Sequence, residues 1–266
     1  MNGRVLAIAG SDSSGGAGIQ ADVKTIAALG AYAATAITAI TVQDQRAVHA
    51  VHKLPPALIA QQITHALADP GADAVKTGML VDAPTIAAVA CALRAAAGVP
   101  LVVDPVMLAS SGARLLAEDA LAALRAELFP LAALVTPNVP EAEVLAGMKI
   151  RDRGSMERAA RAIGARAVLV KGGHLPGETV VDVLSIEGDI ILFEEKRIPG
   201  PPCRGTGCTL ASAIAVGLAQ GMRLADAVGC ARAYLQEAIA TAPAIGAAAR
   251  PLNHAVTPWK RGRPPS

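Results

Sequence analysis

Short apolar, β-branched runs alternate with longer helix-period stretches along almost the whole chain, and this alternation is the feature that most restricts its fold. Val5–Ala9 reads as a buried strand, Ile19–Leu29 as a helix, Thr35–Thr41 as a strand and Val48–Leu54 as a peripheral strand. Pro56 sits at a favourable first-turn position for a helix reaching Ala68. Asp73–Lys76 is a strand, Asp82 a cap for the helix Pro84–Ala97, and Leu101–Asp104 a strand that ends in a carboxylate. The pattern continues with a helix over Leu116–Leu128, a strand over Ala133–Thr136, a short helix in PNVPEAEVL, a helix over Ser155–Gly164 and a strand over Ala167–Lys171. Val180–Ile186 and Ile190–Glu194 bracket Glu187-Gly188-Asp189 and read as an antiparallel hairpin. Helices over Thr209–Gln220 and Leu224–Thr241 follow. Strand and helix in repeated turn imply an α/β fold, with a mainly parallel sheet covered by helices on both faces.

No linker or composition break interrupts residues 1–255, so the expectation is one domain, followed by a basic, proline-rich tail over 256–266 that frays. With 266 residues, 53% of them hydrophobic and 17% charged, the chain has the material for a sizeable core and not the composition of a disordered one. A net charge of +2 offers no basic field, and 2% aromatics offers few stacking platforms, so nucleic acid is not an expected partner. The apolar run Val5–Ala9 is too short for a signal-peptide core, and no apolar stretch is long enough for a membrane span. The four cysteines, Cys91, Cys203, Cys208 and Cys230, form no CxxC pair and read as free thiols in a reducing cytoplasm.

In parallel sheets of this kind ligands bind beyond the carboxyl ends of the strands. There the sequence places SDSSGGAG, Gln43, DPVM, TPN and KGGH. GTGC, Gly205–Cys208, precedes a long apolar helix. Two glycines around Thr206 let backbone N–H groups converge, and the helix adds a partial positive end, which suits a phosphate; an ordinary glycine-rich turn is the plainer alternative. A helix N-terminus lowers the pKa of a thiol, so Cys208 is expected to accept a proton from an alcohol near neutral pH, unless it is a small buried hydrophobe. Asp104 and Glu141 suit a Mg²⁺ that carries nucleotide phosphates, although Glu141 also stands where a first-turn helix acid belongs. Lys171, ahead of two glycines, suits a cation reaching phosphate. His174 has no visible partner. GAGIQA resembles a dinucleotide fingerprint, but GSDSSG separates it from the strand it should follow directly. Neither a Walker-type GxxxxGK[ST] nor a G-x-S-x-G elbow is present.

Seven segments carry a stronger signal together: AGSDSSGGAGIQADVKT (Ala9–Thr25), ITAITVQD (Ile37–Asp44), KTGML (Lys76–Leu80), DPVMLASSG (Asp104–Gly112), TPNVPEAE (Thr136–Glu143), VKGGH (Val170–His174) and GTGCTLASA (Gly205–Ala213). In this order they resemble hydroxymethylpyrimidine/phosphomethylpyrimidine kinases of thiamine biosynthesis, within the ribokinase-like superfamily. The resemblance implies a three-layer α/β/α ribokinase-like fold with a small antiparallel hairpin, ATP and Mg²⁺, a small pyrimidine substrate, no membrane partner and a homodimer. It also implies roles. Gly10, Ala17 and Asp22 lie near the pyrimidine, and Gln43, Met79 and Val106 surround its ring. Gln43 suits this physically, since its amide offers a donor and an acceptor. Asp104, Asn138 and Glu141 organise Mg²⁺ and nucleotide phosphates, partly through water, and Lys171 neutralises ATP phosphate. Gly205, Thr206 and Gly207 hold the transferring phosphoryl group, and Cys208 is the base.

Two residues depart from the family pattern. Arg204 stands where the family often has His before GTGC; it cannot accept a proton but can supply charge to phosphate. Ser110 stands where a Lys is common, so that either one cationic contact is missing or Arg114 substitutes for it. Three competing readings remain from sequence alone: a pyridoxal kinase of the same fold, a non-catalytic binder and a dinucleotide-dependent oxidoreductase.

Overall fold

Strand β1 (Arg4–Asp12) is buried from Val5 to Ala9, and its side chains alternate between two separate apolar clusters. Leu6 and Ile8 enter one cluster, and Val5, Ala7 and Ala9 the other. The same period of two divides Val103 from Val102 and Val135 from Leu134. A strand buried on both faces needs a helical layer on each side, and the computed structural model shows both. It describes residues 1–44, 46–107, 115–117, 119–245 and 249–256.

After β1 come α1 (Gly18–Ala28), β2 (Tyr32–Gln43), β3 (Val48–Lys53), α2 (Pro56–Ala68), β4 (Ala74–Thr77), α3 (Ala83–Leu93) and β5 (Leu101–Val103). Then follow α4 (Ala120–Ala123), β6 (Leu134–Val135), α5 (Val139–Ala146), α6 (Arg153–Ala162), β7 (Ala167–Val170), β8 (Thr179–Ile186) and β9 (Asp189–Lys196). The chain closes with β10 (Cys203–Arg204), α7 (Thr206–Ala219), α8 (Leu224–Ala240) and β11 (Arg250–Pro251). Nine strands form one sheet in the order β3-β2-β1-β4-β5-β6-β7-β8-β9. The six adjacent strands β2, β1, β4, β5, β6 and β7 run parallel, and antiparallel pairings stand at both edges. Helices α2 to α6 pack on one face, and α1, α7 and α8 on the other.

The hairpin β8–β9 turns at Glu187-Gly188, where both residues have positive φ (52° and 97°), as its spacing suggested. Two expectations need correction. The helix expected over Leu116–Leu128 begins at Ala120 and widens to a π turn over Leu124–Leu128, followed by a 3₁₀ turn. Pro130 has no N–H for the Ala126 carbonyl, so the α-helical register cannot continue there. The last-but-one helix begins at Thr206, not Thr209, so Thr206, Gly207 and Cys208 form its first turn. The β10–β11 pair was not foreseen, because two-residue strands carry no periodicity. Ser110, Arg114 and the tail from residue 257 lie outside the described residues.

Candidate active site

The strand order reverses at β1, which has β2 on one side and β4 on the other. A cavity of about 1170 Å³ opens beyond the carboxyl ends of these strands. Asp12, at the end of β1, shapes its wall. Its Oδ1 accepts from the N–H and the hydroxyl of Ser14 (2.9 and 2.8 Å), and its Oδ2 accepts from Ala17 N–H (2.9 Å). The loop thereby folds back on its own strand. A Cβ on Gly18 (φ +55°) would lie 2.3 Å from the Gly10 carbonyl oxygen, so only glycine allows this return. Gly10, Ala17, Gln43, Met79 and Val106 all line the cavity. Gln43 is tied in twice: its N–H donates to Ser13 Oγ (2.9 Å), and that hydroxyl donates to the Gln43 carbonyl (2.8 Å).

Asp22 does not line the cavity, contrary to its expected place beside a ring. It is fully buried, with Lys76 Nζ 2.8 and 2.9 Å from its two oxygens and Ser212 Oγ donating at 2.8 Å. The reason lies in α1, whose inward face carries Asp22 below the site rather than into it. Lys76 reaches the cavity floor, and sequence reading gave it no role. Its signal was available: a Lys inside a strand buried on both faces needs a paired acid. Burial works against its charge, but Asp22 and the surrounding acidic groups outweigh that, and its pKa lies above the ordinary Lys value.

Gly205 (φ +80°) leads into α7, and a Cβ there would stand 2.0 Å from the Gly16 carbonyl oxygen. The phosphate-type turn is thus packed directly on the β1–α1 loop. A Cβ on Gly207 would lie 3.2 Å from Lys171 Nζ and 3.5 Å from Asp104 Oδ2. Lys171 Nζ donates to Asp104 Oδ1 (2.9 Å), which also accepts from Thr136 Oγ1 (3.0 Å). Burial opposes the Lys171 charge, yet Asp104 and Glu141 raise its pKa above the ordinary value. Lys171, Asp104, Asn138 and Glu141 all line the cavity together with Gly205, Thr206, Gly207 and Cys208.

Asn138 and Glu141 form a reciprocal cap on α5: Asn138 Oδ1 accepts from Glu141 N–H (2.9 Å) and Glu141 Oε2 from Asn138 N–H (2.8 Å). Met107 N–H approaches the other Glu141 oxygen at 3.4 Å. Burial pushes the Glu141 carboxyl up to about 7; Lys171 opposes the shift and Asp104 adds to it. Both Glu141 oxygens are therefore engaged, whereas Asp104 Oδ2 has no hydrogen-bond partner among the described residues. No cluster of three or more acidic, His or Cys side chains able to hold a metal occurs among those residues. This donor set suits a Mg²⁺ that would take most of its oxygens from nucleotide phosphates and water, with Asp104 and Glu141 as the carboxylates available to it.

Cys208 lines the cavity and is partly buried. Burial pushes its thiol up to about 11; Lys76 and the Gly18 N–H pull it down, while Asp22 and Asp104 push it further up. Burial, not the helix N-terminus, is the leading influence on this thiol, and it acts in the opposite direction to the expected lowering. Sequence reading also missed a charged cluster elsewhere on the cavity wall. Arg232 Nε donates to Asp182 Oδ2 (2.8 Å), and its guanidinium lies over the Phe193 ring (5.6 Å). Asp182 Oδ1 in turn accepts from Gly172 N–H (2.7 Å), the residue after Lys171. His174 also lines the cavity, with its pKa lowered by burial and then by Lys171.

Comparison with known proteins agrees with this architecture. Residues 12–253 match the family model for phosphomethylpyrimidine kinase. The hydroxymethylpyrimidine/phosphomethylpyrimidine kinase of Rhizobium meliloti is 49% identical over 267 residues, covering 98% of this chain and 100% of that one. The thiamine biosynthesis bifunctional protein ThiED of Geobacter sulfurreducens is 48% identical over 255 residues, 95% of this chain; the chain spans about half of that longer protein, 52%. Among solved structures, pyridoxal kinase from Staphylococcus aureus in complex with ADP superposes with a TM-score of 0.88 at 34% identity, covering 96% of this chain and 94% of that one. Phosphomethylpyrimidine kinase from Clostridium difficile gives 0.78 at 42% identity, covering 89% and 99%. These matches establish the ribokinase-like fold and a phosphotransferase, and the chain belongs to the phosphomethylpyrimidine kinase family.

Proposed function

We propose that this chain transfers the γ-phosphoryl group of ATP to the hydroxymethyl oxygen of 4-amino-5-hydroxymethyl-2-methylpyrimidine, and then a second one to the resulting monophosphate. The observation that carries this reading is the single cavity in which Gln43 and Met79 share space with Lys171, Asp104 and the first turn of α7. The ring lies among Gly10, Ala17, Gln43, Met79 and Val106. Lys171 and the amides of Gly205, Thr206 and Gly207 hold the transferring group and offset its spread charge. Asp104 and Glu141 would hold Mg²⁺, which would neutralise phosphate charge, and Asn138 fixes Glu141.

Cys208 takes the hydroxyl proton as the oxygen bonds to the γ-phosphorus, the β–γ bridge bond breaks and ADP leaves. A thiol held near 11 is a stronger base when ionised than an ordinary one, but its protonated form dominates near pH 7. In the second transfer the acceptor phosphate oxygen is already ionised, so this base matters less. The same proposal places the protein in the cytoplasm as a homodimer, and residues 1–255 as one domain.

The better superposition on pyridoxal kinase, 0.88 against 0.78, favours a second reading in which pyridoxal is also an acceptor. Both substrates offer a hydroxymethyl group on a flat nitrogen ring. ADP release with hydroxymethylpyrimidine, its monophosphate and pyridoxal, measured side by side, separates the readings. Turnover of pyridoxal alone would overturn the first.

A further inference from the structure

Arg204 stands one residue before the turn proposed to hold the transferring phosphoryl group, so its charge is expected to serve phosphate. Its side chain lines the cavity, but its hydrogen bond and its ion pair are made away from that turn. It is only 4% exposed, and Nη1 donates to the Asp44 carbonyl (2.9 Å). Its Nε is buried 3.6 Å from Asp12 Oδ2 and has no hydrogen-bond partner. The aliphatic stem lies under the β1–α1 loop, where a Cβ on Gly16 would come within 3.2 Å of Cδ. The main chain of Arg204 is pinned by its parallel pairing with Pro251.

One guanidinium thus touches the two segments that carry ring-facing residues. Asp12 Oδ2, its ionic partner, is the atom that accepts from Ala17 N–H. Asp44, its carbonyl partner, directly follows Gln43 and heads the β2–β3 turn through its N–H bond to the Ala47 carbonyl (3.1 Å). A neutral histidine, the residue common in the family, has a single ring N–H and cannot serve both acceptors. A guanidinium, always charged and with several fixed donors, can donate to the Asp44 carbonyl while keeping its charge beside Asp12.

We infer that Arg204 is a positioning residue for the acceptor ring: it fixes Ala17 and Gln43 through Asp12 and Asp44, and it does not contact phosphate. The inference rests on the proposed function, because it presumes that Gln43 and Ala17 face the acceptor.

Arg204→Met, Arg204→Lys and Arg204→His test it in the full chain. Arg204→Met is expected to raise KM for the pyrimidine alcohol about tenfold, the effect of one lost charge-assisted contact, while KM for ATP stays within about twofold. Arg204→Lys should recover part of that loss. Hydrogen exchange in peptides spanning 12–18 and 43–47 should quicken in Arg204→Met, and this readout does not depend on which acceptor the enzyme uses. A rise in KM for ATP with that for the pyrimidine unchanged would overturn the inference in favour of a phosphate role. Unchanged exchange in both peptides would overturn it as well. Should Arg204→Met fail to fold, Arg204→Lys and Arg204→His carry the same split. A wild-type chain that turns over no pyrimidine would sink the proposed function, while the exchange result would still decide whether Arg204 holds the two segments.

Discussion

Lys171 Nζ and Asp104 Oδ1 lie 2.9 Å apart in a pocket where the Asp104 side chain is 3% and the Lys171 side chain 14% exposed. Breaking a buried pair of opposite charges leaves the survivor uncompensated. Lys171→Met is therefore expected to raise KM for ATP and to lower kcat by about 10²–10³, the range for losing one preorganised electrostatic contact. Steady-state kinetics with ATP varied checks this. An unchanged kcat would remove Lys171 from the transfer step. Asp104→Asn should keep the hydrogen bond to Thr136 yet weaken Mg²⁺ dependence, seen as a higher Mg²⁺ concentration for half-maximal rate.

Glycine positions give a sharper steric contrast. Gly205→Ala places a Cβ 2.0 Å from the Gly16 carbonyl oxygen at φ +80°, and Gly18→Ala places one 2.3 Å from the Gly10 carbonyl oxygen at φ +55°. The obstacle in both is backbone, so the cavity wall itself must move. Both variants are expected to lose most activity and several degrees of melting temperature. Gly154→Ala, in the first turn of α6, meets nothing closer than 3.6 Å and should instead stabilise by roughly 0.5–1 kcal/mol. Thermal melts of the three variants test the contrast; equal behaviour would mean that the close approaches do not constrain the turn.

The Cys208 thiol, raised to about 11 by burial, favours its protonated form at neutral pH. If the thiolate is the working base, kcat/KM for the alcohol should climb with pH through the range 7–10, approaching tenfold per unit. Cys208→Ala should remove that slope and lower the rate about 10²–10⁴-fold. With the monophosphate as acceptor the slope should be much weaker. A flat profile for the alcohol in the wild-type chain would reject the thiolate. Alkylation should show the same ordering: exposed Cys91 reacts with a thiol reagent at pH 7 well before Cys208, as peptide mass spectrometry can follow.

Much of the fold was legible because strands buried on both faces write themselves as apolar runs. Pro56–Ala68 matches the helix expected from a first-turn proline, and Asp82 caps α3 by accepting from Thr85 N–H (3.1 Å). The stretch from Leu116 was misread because a π turn and a 3₁₀ turn keep the hydrophobic spacing of a helix without its hydrogen bonds. Site residues at strand ends were legible by place, since that is where a parallel sheet opens. Their partners were not: Asp22 meets Lys76 across 54 residues and Ser212 across 190, distances over which sequence carries no periodic signal. Arg204 shows the same limit, since its neighbour in sequence is the phosphate-type turn while its neighbours in space are Asp12 and Asp44.

The C-terminal segment supplies a test of stability against pH. His254 is buried against α7, its Nε2 3.0 Å from Thr209 Oγ1, and its carbonyl accepts from Tyr234 Oη (2.9 Å). Burial, and secondarily Lys24, lowers its pKa to about 4 from an ordinary value of 6.5. The unfolded chain therefore binds more protons at this group between pH 6.5 and 4. Its contribution to stability is complete above 6.5 and is lost as pH falls through about 4. Melting temperature is thus expected to fall more steeply from pH 7 to 4.5 in the wild type than in His254→Gln, whose amide keeps a partner for Thr209 without titrating. Because β11 lies in the same segment and pairs with Cys203 and Arg204, acid should also loosen the start of α7. Exchange in the 203–210 peptide should then quicken in acid before the sheet opens, and less so in His254→Gln. Parallel melting curves for the two proteins across this range would rule His254 out as the titrating group.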